Sequence, residues 1–210
     1  MSDLPVALPD PLARRLAAAL DVEGKIPRAL DALGPLAGRD VAWADGDTGA
    51  LVDRLTALGA RVRPVAWGDT AGHARTPKRW ADALVAAWSV FRGFDPAEMA
   101  EADRVVRAGG RLLVVHDYGR DDVSRLNADA PARPEYGLWS RRDGPFLANG
   151  FKVRVVHCWW TFESVDAARA FLGEAFGEAG QRFGEALTRP RLSYNVAIYH
   201  RTIGGTASDG

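Results

Sequence analysis

ADALVAAWSVFRGFDPAEMAEADRVVRAGGRLLVVHDYG, residues 81–119, decides the fold of this chain. Residues 83–87 are a short apolar run without polar alternation, the pattern of a parallel strand buried on both faces. Asp95 then stands where a helix N-cap belongs, with Pro96 at the first helical position and Glu98 at the third. Met99, Ala102, Val105 and Val106 follow at helical spacing and predict one stripe packed on a sheet. Gly109 and Gly110 read as the helix stop, and residues 111–115 as a second buried strand. Strand, helix and strand in that order imply a right-handed crossover and a parallel pair. The ends of both strands, at Trp88-Ser89 and His116-Asp117-Tyr118, then open on one edge of the sheet, where open α/β sheets bind ligands.

Working outward, residues 1–11 carry three prolines and read as an extended arm. Two short amphipathic helices are expected within residues 12–33. Residues 39–44 read as a strand, residues 51–58 as a helix, and residues 60–66 as a second strand, with Pro64 favouring an edge. Residues 67–80 and 119–134 lack periodicity and read as loops, the latter with a short turn at 122–126. Residues 141–149 suggest a helix, and residues 151–162 a strand whose Trp159-Trp160 pair argues for two covered faces. Ser164 caps a long helix weakened by Gly173, Gly177 and Gly180, where a break is expected. Residues 192–202 are a last strand. Residues 1–202 form one domain, and residues 203–210 read as a flexible tail.

The totals are those of a soluble globular protein: 210 residues, 47% hydrophobic and 26% charged. Net charge is zero, so nothing suggests an electrostatic grip on nucleic acid or an anionic membrane. No run reaches the roughly 20 apolar residues of a membrane span, and the N-terminus has no signal-peptide pattern. Cys158 has no partner for a disulfide and reads as buried filler, which fits a cytoplasmic protein.

The order of elements, with Glu101-Ala102-Asp103-Arg104-Val105-Val106-Arg107-Ala108-Gly109-Gly110-Arg111-Leu112 at its centre, resembles the class I S-adenosylmethionine-dependent methyltransferases, whose segment reads E-x-x-R-V-L-R-P-G-G-x-L. The resemblance covers roughly residues 40–201 and implies a Rossmann-like, mostly parallel sheet with helices on both faces. It also implies S-adenosylmethionine as cofactor, held at Asp45, Gly46, Asp47 and Gly49 after the first strand and at Asp69 after the second. His116 and Asp117 are the candidate catalytic pair, and Trp88, Ser89 and Tyr118 would face a substrate.

Three departures from the family pattern stand against this. The family's V-L-D-L-G-C-G-T-G falls on residues 41–49, where its acid becomes Trp43 and its first two glycines become Asp45 and Asp47. Backbone must approach the cofactor closely at those glycines, and a side chain takes that space. The acid that would receive the ribose hydroxyls falls on Ala66. About 15 residues separate Ala66 from Asp82, too few for the family's intervening helix and third strand, so that strand is expected to be missing.

Plainer readings exist for each candidate. His116-Asp117 can be a capped strand end, Ser89 lacks a G-x-S-x-G context, and Asp40, Asp45 and Asp47 can be a helix N-terminal cluster favoured by the dipole rather than a cation site. No histidine pair has zinc-ligand spacing, so no metal is expected. Two functions therefore remain open. One is a methyltransferase acting on a small molecule. The other is an inactive methyltransferase-like domain serving as a protein partner or as a subunit of a homodimer. The eroded motifs predict weak S-adenosylmethionine binding.

Overall fold

The computed structural model describes residues 4–44, 49–67, 77–126 and 136–204. The elements are α1 (Asp10–Ala19), α2 (Lys25–Leu33), β1 (Asp40–Ala44), α3 (Ala50–Ala57), β2 (Arg61–Val65), β3 (Ala81–Ala87), α4 (Pro96–Val105), β4 (Val106–Asp117), α5 (Asp122–Leu126), α6 (Tyr136–Trp139), α7 (Pro145–Ala148), β5 (Lys152–Thr161), α8 (Val165–Glu185) and β6 (Arg191–Thr202). They build one six-stranded sheet in the order β2-β1-β3-β4-β6-β5. β2, β1, β3 and β4 are parallel, and β6 runs antiparallel to both its neighbours. Among the described residues nothing pairs on the outer side of β2, which is the edge expected from the missing strand.

Helices pack on both faces of the sheet, most completely over its parallel strands. On one side Leu16, Leu30, Leu55 and Phe171, from α1, α2, α3 and α8, bury against Trp43, Val85, Val115 and Trp160. On the other, Ala102 and Val105 of α4 join Trp139 and Phe146 over Leu84, Ala86, Val114 and Tyr199. Burying each large apolar side chain stabilises the fold by about 1.5–3 kcal/mol, which fixes both helical layers.

Two local signals act as expected. The Asp95 carboxylate accepts from Ala97 N at 2.8 Å and Glu98 N at 3.1 Å, capping α4. Ser164 Oγ accepts from Ala167 N at 3.0 Å at the head of α8, which breaks at Gly177 (φ 57°, ψ −137°). Glu98 does something further. Its carboxylate turns back to accept from Arg92 N at 2.8 Å and Gly93 N at 3.0 Å, ordering the loop after β3.

Four expectations need correction. α4 ends at Val105, not at Gly109, because Arg79 N and Trp80 N take the carbonyls of Arg104 and Val105 at 2.8 and 3.0 Å. β4 then starts at once, and Gly110 lies against the neighbouring strand, where a Cβ would come within 2.7 Å of the Asp82 carbonyl oxygen. The helix expected over 141–149 is only Pro145–Ala148, since proline belongs to a first helical turn and cannot be crossed by a helix from Arg141. β5 is not covered on both faces. It is an edge strand: on one face Val156, Cys158 and Trp160 are buried but Lys152 and Arg154 exposed, and on the other Val153 and Trp159 are half-buried and His157 exposed. Finally, Ile203 does not belong to a tail: it is buried, and its backbone bonds Gly109 and Gly110 at 2.9 and 2.8 Å. Residues 205–210 lie outside the described part.

Candidate functional site at the carboxyl edge of the sheet

The parallel strands β1, β3 and β4 end on one edge, and β6 begins there. Trp88 leaves β3 with a positive φ of 47°, its amide donating to Val115 O at 2.9 Å. Its Nε1 donates to Asp117 Oδ1 at 3.0 Å. Tyr194 of β6 also donates its hydroxyl to that Oδ1, and its ring stacks on Trp88 at 6.4 Å between centroids. One carboxylate, 6% exposed, thus ties the ends of three strands together. Tyr194 carried no motif; its pairing partner lies 77 residues away in sequence.

His116, next to Asp117, points to the opposite face because side chains alternate along a strand. Its ring lies 4.8 Å from the Trp139 ring and 6.1 Å from that of Phe146. It is 1% exposed, and burial, helped by the nearby Arg92 guanidinium, pushes its pKa down to about 3. The imidazole is neutral at pH 7 and separated from Asp117 by the strand itself. Ser89 is buried, its Oγ accepting from Phe91 N at 3.1 Å and its carbonyl from Arg92. Tyr118 is half-buried in the second core, with Arg120 5.9 Å above its ring. Of the candidate catalytic and substrate residues, Trp88 and Asp117 are joined by a direct hydrogen bond.

The acids after β4 also serve the fold. Asp121 accepts from Ser124 N and from Asn195 N, each at 2.7 Å. Asp122 accepts from Ser193 N at 2.8 Å and Ser193 Oγ at 2.7 Å. Both carboxylates fasten the loop after β4 to β6.

Toward β1, Gly49 is the N-cap of α3 in extended conformation, whereas Asp45, Gly46, Asp47 and Asp69 lie outside the described residues. Between α3 and Trp88 a cavity of about 20 Å³ remains, lined by Leu4, Leu20, Asp21, Leu51, Arg54 and Trp88. That is room for about one water. Asp21, which the sequence did not single out, is 2% exposed and holds φ at 50°. Its carboxylate accepts from Lys25 N at 2.9 Å and Ile26 N at 2.7 Å, while Arg54 donates to the carbonyls of Leu20 and Asp21 at 3.1 and 2.9 Å. Burial raises the Asp21 pKa against these donors. The junction of α1 and α2 is thereby locked to α3, with Leu4 tucked beneath it. Tryptophans stand near all three strand ends, but Trp43 and Trp67 are buried in opposite cores.

The parallel order β2-β1-β3-β4, followed by the antiparallel β6-β5 pair, settles the architecture. The fold is that of the class I methyltransferases. Solved structures with this fold match most of the chain. One, from Anaeromyxobacter dehalogenans and named as a type II methyltransferase, shares 18% identity at a TM-score of 0.53, covering 85% of this chain and 95% of its own. Another, named as a methyltransferase from an antibiotic biosynthesis pathway of Anabaena variabilis, shares 14% identity at 0.53, covering 89% and 99%. No protein-family model and no curated protein matches the sequence.

The methyltransferase fold raises the question of whether S-adenosylmethionine fits. Small-molecule sites of this kind occupy about 300–1,000 Å³. Beside Trp88, between α3 and the N-terminal segment, the described part of the crevice leaves about 20 Å³, while residues 45–48 and 68–76 lie outside the described part. Among the described residues no group of three or more His, Cys, Asp or Glu could hold a metal ion. No helix among them is long and apolar enough to cross a membrane.

Proposed function

We propose that this chain is a methyltransferase-fold domain whose crevice is filled by its own side chains, and that it acts by contact with a partner. The observation behind this reading is the closure around Trp88. Its indole is held by Asp117 and Tyr194, and Leu4, Leu20 and Leu51 close the space beside it. Asp117 Oδ1 receives two protein donors, which commits that oxygen to holding the strand ends together. Calorimetry with S-adenosylmethionine tests the reading. The expected result is a dissociation constant above about 100 μM, or weaker than −5.5 kcal/mol. Low-micromolar binding would overturn it.

One observation favours a second reading, that of a methyltransferase acting on a small molecule with S-adenosylmethionine as methyl donor. Gly49, the last glycine of the family's turn pattern, is retained as the N-cap of α3. Leu4 sits on an arm preceding α1, and moving that arm would enlarge the crevice without breaking the sheet. Transfer of a labelled methyl group to a small acceptor would establish this reading.

A further inference from the structure

The free edge of β5 carries a concentration of positive charge that neither reading uses. Lys152 and Arg154 are exposed on one face of that strand, and α2 brings Lys25 and Arg28 alongside it. A groove of about 360 Å³ runs between them, lined by Lys25, Arg28, Ala29, Arg154, Val155 and His157. Further in, Arg111 of β4 lies against His200 of β6, Nη2 to Nδ1, at 3.1 Å. Arg111, Lys152 and Arg154 all act on His200, and together with burial they lower its pKa.

Carboxylates balance this group only in part, Asp21 and Glu23 acting on Arg28 from the start of α2. Among the described residues Arg28, Arg111, Lys152 and Arg154 form no ion pair, and Arg111 Nε is buried without an acceptor. Glu23, the acid at this end of α2, pairs with Lys25 at 2.6 Å. Such a cluster is conspicuous in a chain of zero net charge. Charges on an edge strand can simply guard it against unwanted pairing. That account covers Lys152 and Arg154, but not Arg28 on a helix or Arg111 two strands inward.

The edge itself is also available. Leu20 and Asp21 pair with Trp160 and Trp159 at one end of β5, Asp21 N donating to Trp159 O at 2.9 Å. Among the described residues no strand continues that pairing along Lys152–His157. A strand added there would place every second side chain beside Lys152 and Arg154, about 4.5–5.5 Å away between Cβ atoms.

We propose that this edge receives an extended acidic segment of a partner protein, with carboxylates at alternate positions facing Lys152, Arg154 and Arg28. Backbone pairing supplies affinity and the alternating charges supply register. The proposal stands whether or not the crevice binds S-adenosylmethionine. A protein segment is favoured over nucleic acid because the backbone edge is open and Arg191, 4.4 Å from the neighbouring Trp159 ring, already occupies one of its two stacking faces.

The test uses the full chain and a synthetic peptide alternating Glu with Val or Thr, titrated by calorimetry with hydrogen exchange read on β5. The expected result is saturable binding that weakens with salt and protects amides in residues 152–157. K152E/R154E should weaken it by at least about tenfold, two exposed charge contacts of roughly 1 kcal/mol each being lost or reversed. R28E, on α2, should act in the same direction without touching the strand. A peptide of the same composition with its glutamates in one block should bind worse. Equal binding of the block peptide, no protection on β5, no binding at all, or tighter binding of a DNA oligonucleotide would each overturn the proposal.

Discussion

Trp88 and Asp117 are joined across the ends of β3 and β4, the indole Nε1 donating to Oδ1 at 3.0 Å. Trp88 holds a positive φ of 47° to make this contact, a backbone region costing a bulky residue on the order of 1–3 kcal/mol. The bond, the Tyr194 hydroxyl on the same oxygen and the ring stack offset that strain. Asp117→Ala removes the acceptor of one buried donor, the Tyr194 hydroxyl, and of one half-buried donor, the Trp88 indole. It is expected to destabilise the protein by about 2–4 kcal/mol, measured by urea denaturation. A loss below about 1 kcal/mol would mean that Asp117 is not part of the fold's support.

Opening the crevice should change cofactor affinity in one direction. Removing residues 1–8 and replacing Trp88 by alanine clears the side chains of Leu4 and Trp88 from the space beside Leu51. The expected result is stronger S-adenosylmethionine binding than in the unaltered protein, by calorimetry. Unchanged weak binding would place the obstruction in the turn after β1 instead.

His116 makes stability pH-dependent. Its folded pKa, about 3, lies below the ordinary value of 6.5, so the unfolded chain takes up its proton first as pH falls. The contribution is fully present above pH 6.5 and declines toward pH 3, by up to about 1.4 kcal/mol per pH unit. His116→Gln should flatten that part of the stability profile. An unchanged slope between these limits would show that carboxylates alone carry the acid transition.

Gly110→Ala should be among the most damaging single-methyl additions. The new Cβ would lie 2.7 Å from the Asp82 carbonyl and 2.9 Å from that of Arg107, both backbone atoms. A loss on the order of 3 kcal/mol is expected in thermal or urea unfolding. Gly109→Ala meets no atom within 4 Å but sits at φ 80°, and should cost less.

Cys158 should resist thiol reagents in the native state. Its side chain is 2% exposed, its Sγ donates to Tyr194 O at 3.2 Å, and burial pushes the thiol pKa well above its ordinary range. Modification should follow unfolding, with the rate rising as denaturant is added. Rapid labelling without denaturant would contradict this.

The sequence by itself determined what local chemistry can determine. Asp95 and Pro96 start α4, Ser164 starts α8, Gly177 breaks it, and the apolar run at 83–87 is a buried strand, because each signal acts within a few residues. The short span before Asp82 likewise argues by length alone for a missing strand, and among the described residues none pairs outside β2. Where two signals competed, tertiary contacts decided: Trp80 and Arg79 captured the last carbonyls of α4 before Gly109 could end it. The site was less legible. Period-two alternation puts His116 and Asp117 on opposite faces, but which face meets the crevice depends on how the sheet is covered. The union of Trp88, Asp117 and Tyr194 spans 29 residues in one bond and 77 in the other, and the approach of Leu4 to the cavity beside Trp88 spans still more of the chain. Such contacts carry no local periodicity. They exist only once the sheet has brought the strand ends together.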